Sequence, residues 1–227
     1  MTLAHLRGGL IVSCQARAGH PLRERGVIVA LARAAVAGGA AGLRLNGEED
    51  IRAVRQAVGA VPIIGIRKVW TAGMPVYITP SFADATVVAA AGADIIALDA
   101  TARPRAGEPL EELLPRIRAE LGRPVMADVA TVEEGERAAA LGADLVATTL
   151  AGYTGTAPPP EEPDLTLLRK LCRTLRVPVV AEGRYHTPEQ VREAFRAGAW
   201  AVVVGRAITD ALFLTRRFVD ALRRGAP

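Results

Sequence analysis

The chain has 227 residues, half of them hydrophobic, and a net charge of only +4 from 28 basic and 24 acidic residues. Aromatics make up 4% and no basic run is interleaved with them, which argues against nucleic-acid binding. The two cysteines, Cys14 and Cys172, form no metal or redox motif, and no apolar run approaches the roughly 20 residues that span a bilayer.

In chain order, two strand patterns alternate. Gly9-Leu-Ile-Val-Ser-Cys-Gln15 opens the series, and Ala37-Gly-Gly-Ala-Ala-Gly-Leu-Arg-Leu45 follows. A proline-entered run, Val61-Pro-Ile-Ile-Gly-Ile66, leads to Lys68, and Ala91-Gly-Ala-Asp-Ile-Ile-Ala-Leu-Asp99 answers it. The same alternation repeats in Arg123-Pro-Val-Met-Ala-Asp128 and Leu141-Gly-Ala-Asp-Leu-Val-Ala-Thr-Thr149. It closes with Val177-Pro-Val-Val-Ala-Glu182 and Ala197-Gly-Ala-Trp-Ala-Val-Val-Val-Gly205.

The runs are almost continuously apolar, as strands buried on both faces of a parallel sheet must be. Helical patterns lie between them, among others at 48–59, 111–121, 133–141, 165–175 and 188–197. Eight such units predict one α/β domain, a (β/α)8 TIM barrel over residues 1–227, in preference to a doubly wound sheet.

That fold puts chemistry at the strand C-terminal ends. Gln15, Arg44, Lys68, Asp99, Asp128 and Glu182 are placed there, whereas Asp94 and Asp144 start strands and read as structural. Lys68 is one of only two lysines, beside Lys170, among the 28 basic residues. Unlike arginine, a lysine can lose its proton once burial or a neighbouring cation lowers its pKa. Period two places Lys68 on the face of Ile64 and Ile66, Asp128 on that of Met126, and Glu182 on that of Val180. A cation and two carboxylates then converge on one mouth and suit removal and return of a proton.

The glycine-containing loops after the seventh and eighth strands predict a phosphate pocket. It uses the backbone N–H groups of Gly183, Arg184, Gly205 and Arg206 at a short helix. The three histidines, His5, His20 and His186, supply no paired ligands, so neither metal nor cofactor is expected. Two long loops, one after Lys68 and one over 149–163, are candidate covers.

Several motifs together resemble the N-acetylmannosamine-6-phosphate 2-epimerases. They are Gly9-Leu-Ile-Val-Ser-Cys-Gln15, Pro62-Ile-Ile-Gly-Ile-Arg-Lys68, Met126-Ala-Asp128, Thr148-Thr-Leu-Ala-Gly-Tyr-Thr154 and Ala181-Glu-Gly-Arg-Tyr185. The matches run in order over nearly the whole chain. Tyr185-His186 and the stretch 69–76 depart from the family pattern.

The resemblance implies a metal-independent isomerase of amino-sugar and sialic acid catabolism, acting on a small phosphorylated amino sugar. It implies Lys68 and Glu182 as the catalytic pair. It implies Gln15, Arg44, Asp128 and Arg184 as sugar contacts, with the two glycine loops holding phosphate. No signal-peptide pattern opens the chain, so a cytoplasmic protein is expected, without membrane or nucleic-acid partners. Its abundant apolar helix faces are compatible with a homodimer. A Schiff-base lyase, a metal-dependent sugar-phosphate epimerase and a non-catalytic phosphosugar-binding module are the alternatives.

Overall fold

The computed structural model describes residues 3–225; the ends of the expected 1–227 domain lie outside the described residues. Eight parallel strands close into a barrel in chain order. They are β1 (Leu10–Cys14), β2 (Gly42–Asn46), β3 (Ile63–Ile66), β4 (Ile95–Asp99), β5 (Val125–Asp128), β6 (Leu145–Ala147), β7 (Val179–Glu182) and β8 (Ala201–Val204). The TIM-barrel expectation is met.

Helices α1 (Arg25–Ala37), α2 (Glu48–Val58), α3 (Phe82–Ala90), α4 (Leu110–Arg116), α5 (Val132–Ala140), α6 (Leu165–Thr174) and α7 (Pro188–Arg196) alternate with the strands. Two more, α8 (Arg206–Thr209) and α9 (Ala211–Gly225), follow β8. No helix among the described residues is long and apolar enough to cross a membrane.

Strand parity sorts the core into two bodies. Ile11, Ile64, Ile66, Ile95, Ala97, Met126, Leu145, Ala147, Val180, Ala201 and Val203 fill the barrel. Their sequence neighbours, such as Val12, Leu43, Leu45, Ile63, Ile96 and Leu98, pack outward against the helices. Gly65 faces outward, where a methyl group would come within 2.5 Å of Val88 Cγ1 and 2.6 Å of Ala93 Cβ. Overpacking of this kind costs about 1–3 kcal/mol. Gly65→Ala should therefore lower the unfolding free energy from denaturant melts by that amount, and an unchanged value would show that α3 yields freely.

The two Gly-Ala-Asp turns act at the barrel floor, away from the mouth. Asp94 Oδ2 accepts the Ile63 N–H at 2.9 Å and pairs with Arg55. Asp144 Oδ2 accepts the Val125 N–H at 2.9 Å and pairs with Arg118 at 3.1 Å. Each carboxylate thus holds the entry of the neighbouring strand, which bears out their structural reading.

Helix starts follow the local sequence. Thr131 and Thr187 form capping boxes with Glu134 and Gln190, and Pro188 occupies the first turn of α7. The predicted helix 111–121 is divided. Pro115 falls inside α4, and beyond Arg116 the chain takes π geometry over Ile117–Leu121. Pro115 has no N–H to give to the helix, and a widened turn is a known way to relieve such a defect.

Candidate active site

The inward parity that fills the barrel continues into polar residues at its mouth. Asp128 and Glu182 end β5 and β7 as expected. Arg44 corrects its expected position: it sits in the middle of β2, paired with Ser13 and Ile64, and Asn46 ends that strand. Arg44 is only 1% exposed and reaches up to the carboxylates from below.

Arg44 Nη1 and Nη2 bond Asp128 Oδ1 and Oδ2 at 3.1 and 2.5 Å, and Nη1 also bonds Glu182 Oε2 at 2.5 Å. Burial alone would lower the Arg44 pKa, but the charges of Asp128 and Glu182 outweigh it and the net direction is up. The guanidinium stays charged and locked, with Nε buried and without a hydrogen-bond partner.

Thr149, which closes the sixth strand run but was not singled out as a site residue, shares the parity of Leu145 and Ala147. Its hydroxyl lies 2.7 Å from Asp128 Oδ1 and 3.1 Å from Glu182 Oε2. The carboxylates are therefore linked twice, through Arg44 and through Thr149. Burial pushes Glu182 up to about 7, with Asp128 adding to the rise and Arg44, Thr149 and Lys68 opposing it.

Removal of the hydroxyl should move Glu182 further up. A neutral hydrogen bond is worth about 1 kcal/mol, or roughly 0.7 pH. In NMR titration the Glu182 carboxyl of Thr149→Val should titrate that much higher, and Thr149→Ser should match the wild type. An unmoved titration in Thr149→Val would take Thr149 out of the network.

Lys68 follows β3, and its backbone N–H is fixed by Asn46 Oδ1 at 2.9 Å. Among the described residues its amine makes no hydrogen bond or ion pair, so the structural pairing with Glu182 or Asp128 is absent. Burial, then the Arg44 charge, lowers its pKa, against the opposing pull of Glu182 and Asp128. The segment after it is a hairpin over residues 67–79. Val69 N–H bonds Tyr77 O at 2.8 Å, Thr79 N–H bonds Arg67 O at 2.7 Å, and Lys68 bridges Ile78.

Lys68, Glu182, Asn46 and Thr149 line one cleft of about 530 Å³, which extends to Gln15, Gly183, Gly205 and Arg206. Gln15 Nε2 donates to Ser13 Oγ at 2.8 Å, and its Oε1 is buried without a partner. Asp99 does not join the group: Thr101 and Arg103 hold its carboxylate.

The far end of the cleft is cationic. Arg17 and Arg216 line it with Arg206, and none of the three has a carboxylate partner among the described residues. The sequence reading missed Arg17 and Arg216, and their lack of an ion-pair partner is visible only in the fold; Asp210 in the same lining pairs with His20. Gly205 precedes the short α8, the expected helix N-terminus.

Arg184 lines the cleft, and its side chain also holds the rim. Its guanidinium bonds Glu162 O at 2.7 Å and Ala151 O, tying down both ends of the 149–163 loop. Its backbone is left-handed, φ 63°, after Gly183 at φ 109°, so its peptide rather than its side chain is the part free to serve a ligand. His186 packs on Phe213 with ring centroids 5.3 Å apart, and its Nδ1 is buried and unpartnered. Among the described residues no group of three or more His, Cys, Asp or Glu side chains is arranged to hold a metal ion.

Known proteins match this architecture closely. The model of a family described as "Putative N-acetylmannosamine-6-phosphate epimerase", NanE, matches residues 28–224. A relative from Thermosynechococcus vestitus, carrying the corresponding 2-epimerase name, is 53% identical over 224 residues, covering 98% of this chain and 97% of its own. One from Cutibacterium acnes, named likewise, is 47% identical, covering 97% and 96%. The solved structure of the N-acetylmannosamine-6-phosphate 2-epimerase from Clostridium perfringens superposes with a TM-score of 0.91 at 42% identity, covering 96% of this chain and 94% of that one. With a family model spanning most of its length and relatives near half identity, the chain belongs to the NanE family of N-acetylmannosamine-6-phosphate epimerases.

Proposed function

We propose that this protein interconverts N-acetylmannosamine 6-phosphate and N-acetylglucosamine 6-phosphate by removing and returning the proton at C2, a step of sialic acid and amino-sugar catabolism. The observation that carries the reading is the unpaired Lys68 amine sharing one cleft with a Glu182 carboxyl that burial pushes up to about 7. One group is shifted toward its neutral base form and the other toward its acid form, so both can exchange protons near neutral pH.

In the open-chain sugar the C1 aldehyde acidifies the C2–H bond. One of the pair takes that proton, the bonding electrons pass to the carbonyl oxygen as an enolate, and the other group returns a proton on the opposite face. Asp128 and Arg44 hold Glu182 in place, Gln15 Oε1 offers an acceptor to the sugar, and Asn46 fixes the Lys68 backbone. The phosphate occupies the cationic end, on the N–H groups of Gly183, Arg184, Gly205 and Arg206, and anchors C2 against the pair. Metal and cofactor have no part in this reading.

The same barrel domain carries the whole reaction. Two cysteines without a partner suit a reducing cytoplasm. The free arginines cluster at one end of a cleft, which favours a small anion over nucleic acid. Phe218 and Leu222, each 74% exposed on α9, give a homodimer an apolar surface.

Proton NMR of the protein with N-acetylmannosamine 6-phosphate in D2O tests the reading. N-acetylglucosamine 6-phosphate deuterated at C2 is the expected product. Absence of product over a wide pH range overturns the proposal.

A further inference from the structure

The cleft has two unlike ends, and the most exposed of its aromatic rings stands at the Lys68 end. At the cationic end Arg184 lies over the Tyr153 ring at 5.3 Å and Arg206 over the Phe213 ring at 4.6 Å. At the Lys68 end Trp70 lines the cleft and is 69% exposed. One indole face stacks on Tyr77, with centroids 5.6 Å apart and planes 9° from parallel, and the other is open. The hairpin closed by Val69 and Tyr77 fixes this ring two residues beyond Lys68. A rigid, half-covered aromatic at a cleft wall binds apolar groups at little entropic cost.

We infer that the open face of Trp70 is the wall for the N-acyl group on C2 of the substrate and sets which acyl groups the enzyme accepts. This rests on the epimerase reading: if Lys68 acts at C2, the substituent on C2 lies beside Lys68, and the phosphate at the other end fixes that orientation. The acetamido methyl is the most apolar part of the substrate, and Trp70 is the open apolar surface at that end. The exposure of the indole leaves room for a longer acyl chain along its face. An N-propanoyl chain, one methylene longer than acetyl, then stays in contact with the same indole face.

Calorimetry with N-acetylglucosamine 6-phosphate and glucose 6-phosphate, which has a hydroxyl at C2, tests the wall. Trp70→Ala should weaken binding of the first by about tenfold and of the second by less than about twofold, the loss expected of one aromatic contact. Equal losses, or none, overturn the inference.

Fluorescence gives a readout independent of stability, since Trp200, the other of two tryptophans, lies against Gly8 and Pro178 in a separate pocket. In Trp200→Phe, the emission of Trp70 should change with the N-acetyl sugar and not with glucose 6-phosphate. The opposite order overturns the inference. If Trp200→Phe does not fold, wild type minus Trp70→Phe yields the same signal.

The N-propanoyl substrate should turn over with kcat/KM within about tenfold of the N-acetyl one, and failure to turn over overturns the placement of the acyl chain on Trp70. A wild-type protein that neither binds nor epimerises the N-acetyl sugar would sink the epimerase reading itself. Epimerisation with Trp70 indifferent sinks only this wall.

Discussion

Lys68→Ala should lower kcat for C2 epimerisation by about a hundred- to ten-thousandfold, the range for loss of a positioned proton-transfer group, while the sugar phosphate still binds. The amine makes no ion pair, so its removal leaves no buried charge unmatched, and the anion end of the cleft is untouched. Lys68→Arg should not restore the rate, because a guanidinium keeps its proton at any working pH. Product formation in a discontinuous assay and binding by calorimetry separate the two quantities. A Lys68→Ala protein within tenfold of the wild-type rate would end the proton-transfer role.

Arg44→Met should destabilise the fold by about 3–5 kcal/mol, the cost of removing one partner from a buried ionic cluster. Asp128 is fully buried, and Arg44 supplies it with two hydrogen bonds and Glu182 with a third. At roughly 2–4 °C per kcal/mol for a domain of this size, the melting temperature should fall by about 10 °C.

The loss should also depend on pH. The folded pKa of Glu182 is raised from 4.5 to about 7, so its carboxyl favours the folded state at low pH and loses that contribution as pH rises through about 7. Without the Arg44 charge the carboxyl rises further, and the variant should be weakest above neutrality. Adding Asp128→Asn should recover part of the loss, and strict additivity of the two substitutions would show that they do not share a cluster.

The barrel was legible because its strands announce themselves twice, by apolar runs and by proline or Gly-Ala entries. Parity carried the reading from Ile64 and Ile66 to Lys68, and from Val180 to Glu182. The same parity applied to Leu145 and Ala147 points at Thr149, which closes the sixth strand run but was not singled out as a site residue. The depth of Arg44 was hidden, since strand ends in sequence do not state the stagger between neighbours. Arg17 and Arg216 belong to the site through their lack of acidic partners, a property of three-dimensional surroundings. The hold of the Arg184 side chain on the 149–163 loop was hidden for the same reason, as its carbonyl partners lie 33 and 22 residues away. The hairpin after Lys68 has few β-formers near its tip, and tertiary contact of Ile78 with the barrel interior decides its shape.

Arg184 belongs to the rim of the barrel, yet it grips both ends of the 149–163 loop. That loop cannot swing outward as a separate flap while both carbonyls stay bonded to one guanidinium. It is a fixed wall, in place before any ligand arrives. The other candidate cover, the 67–79 hairpin, bears the exposed Trp70 and the half-exposed Met74. Its exposed indole stands two residues from the amine that meets whatever enters the cleft.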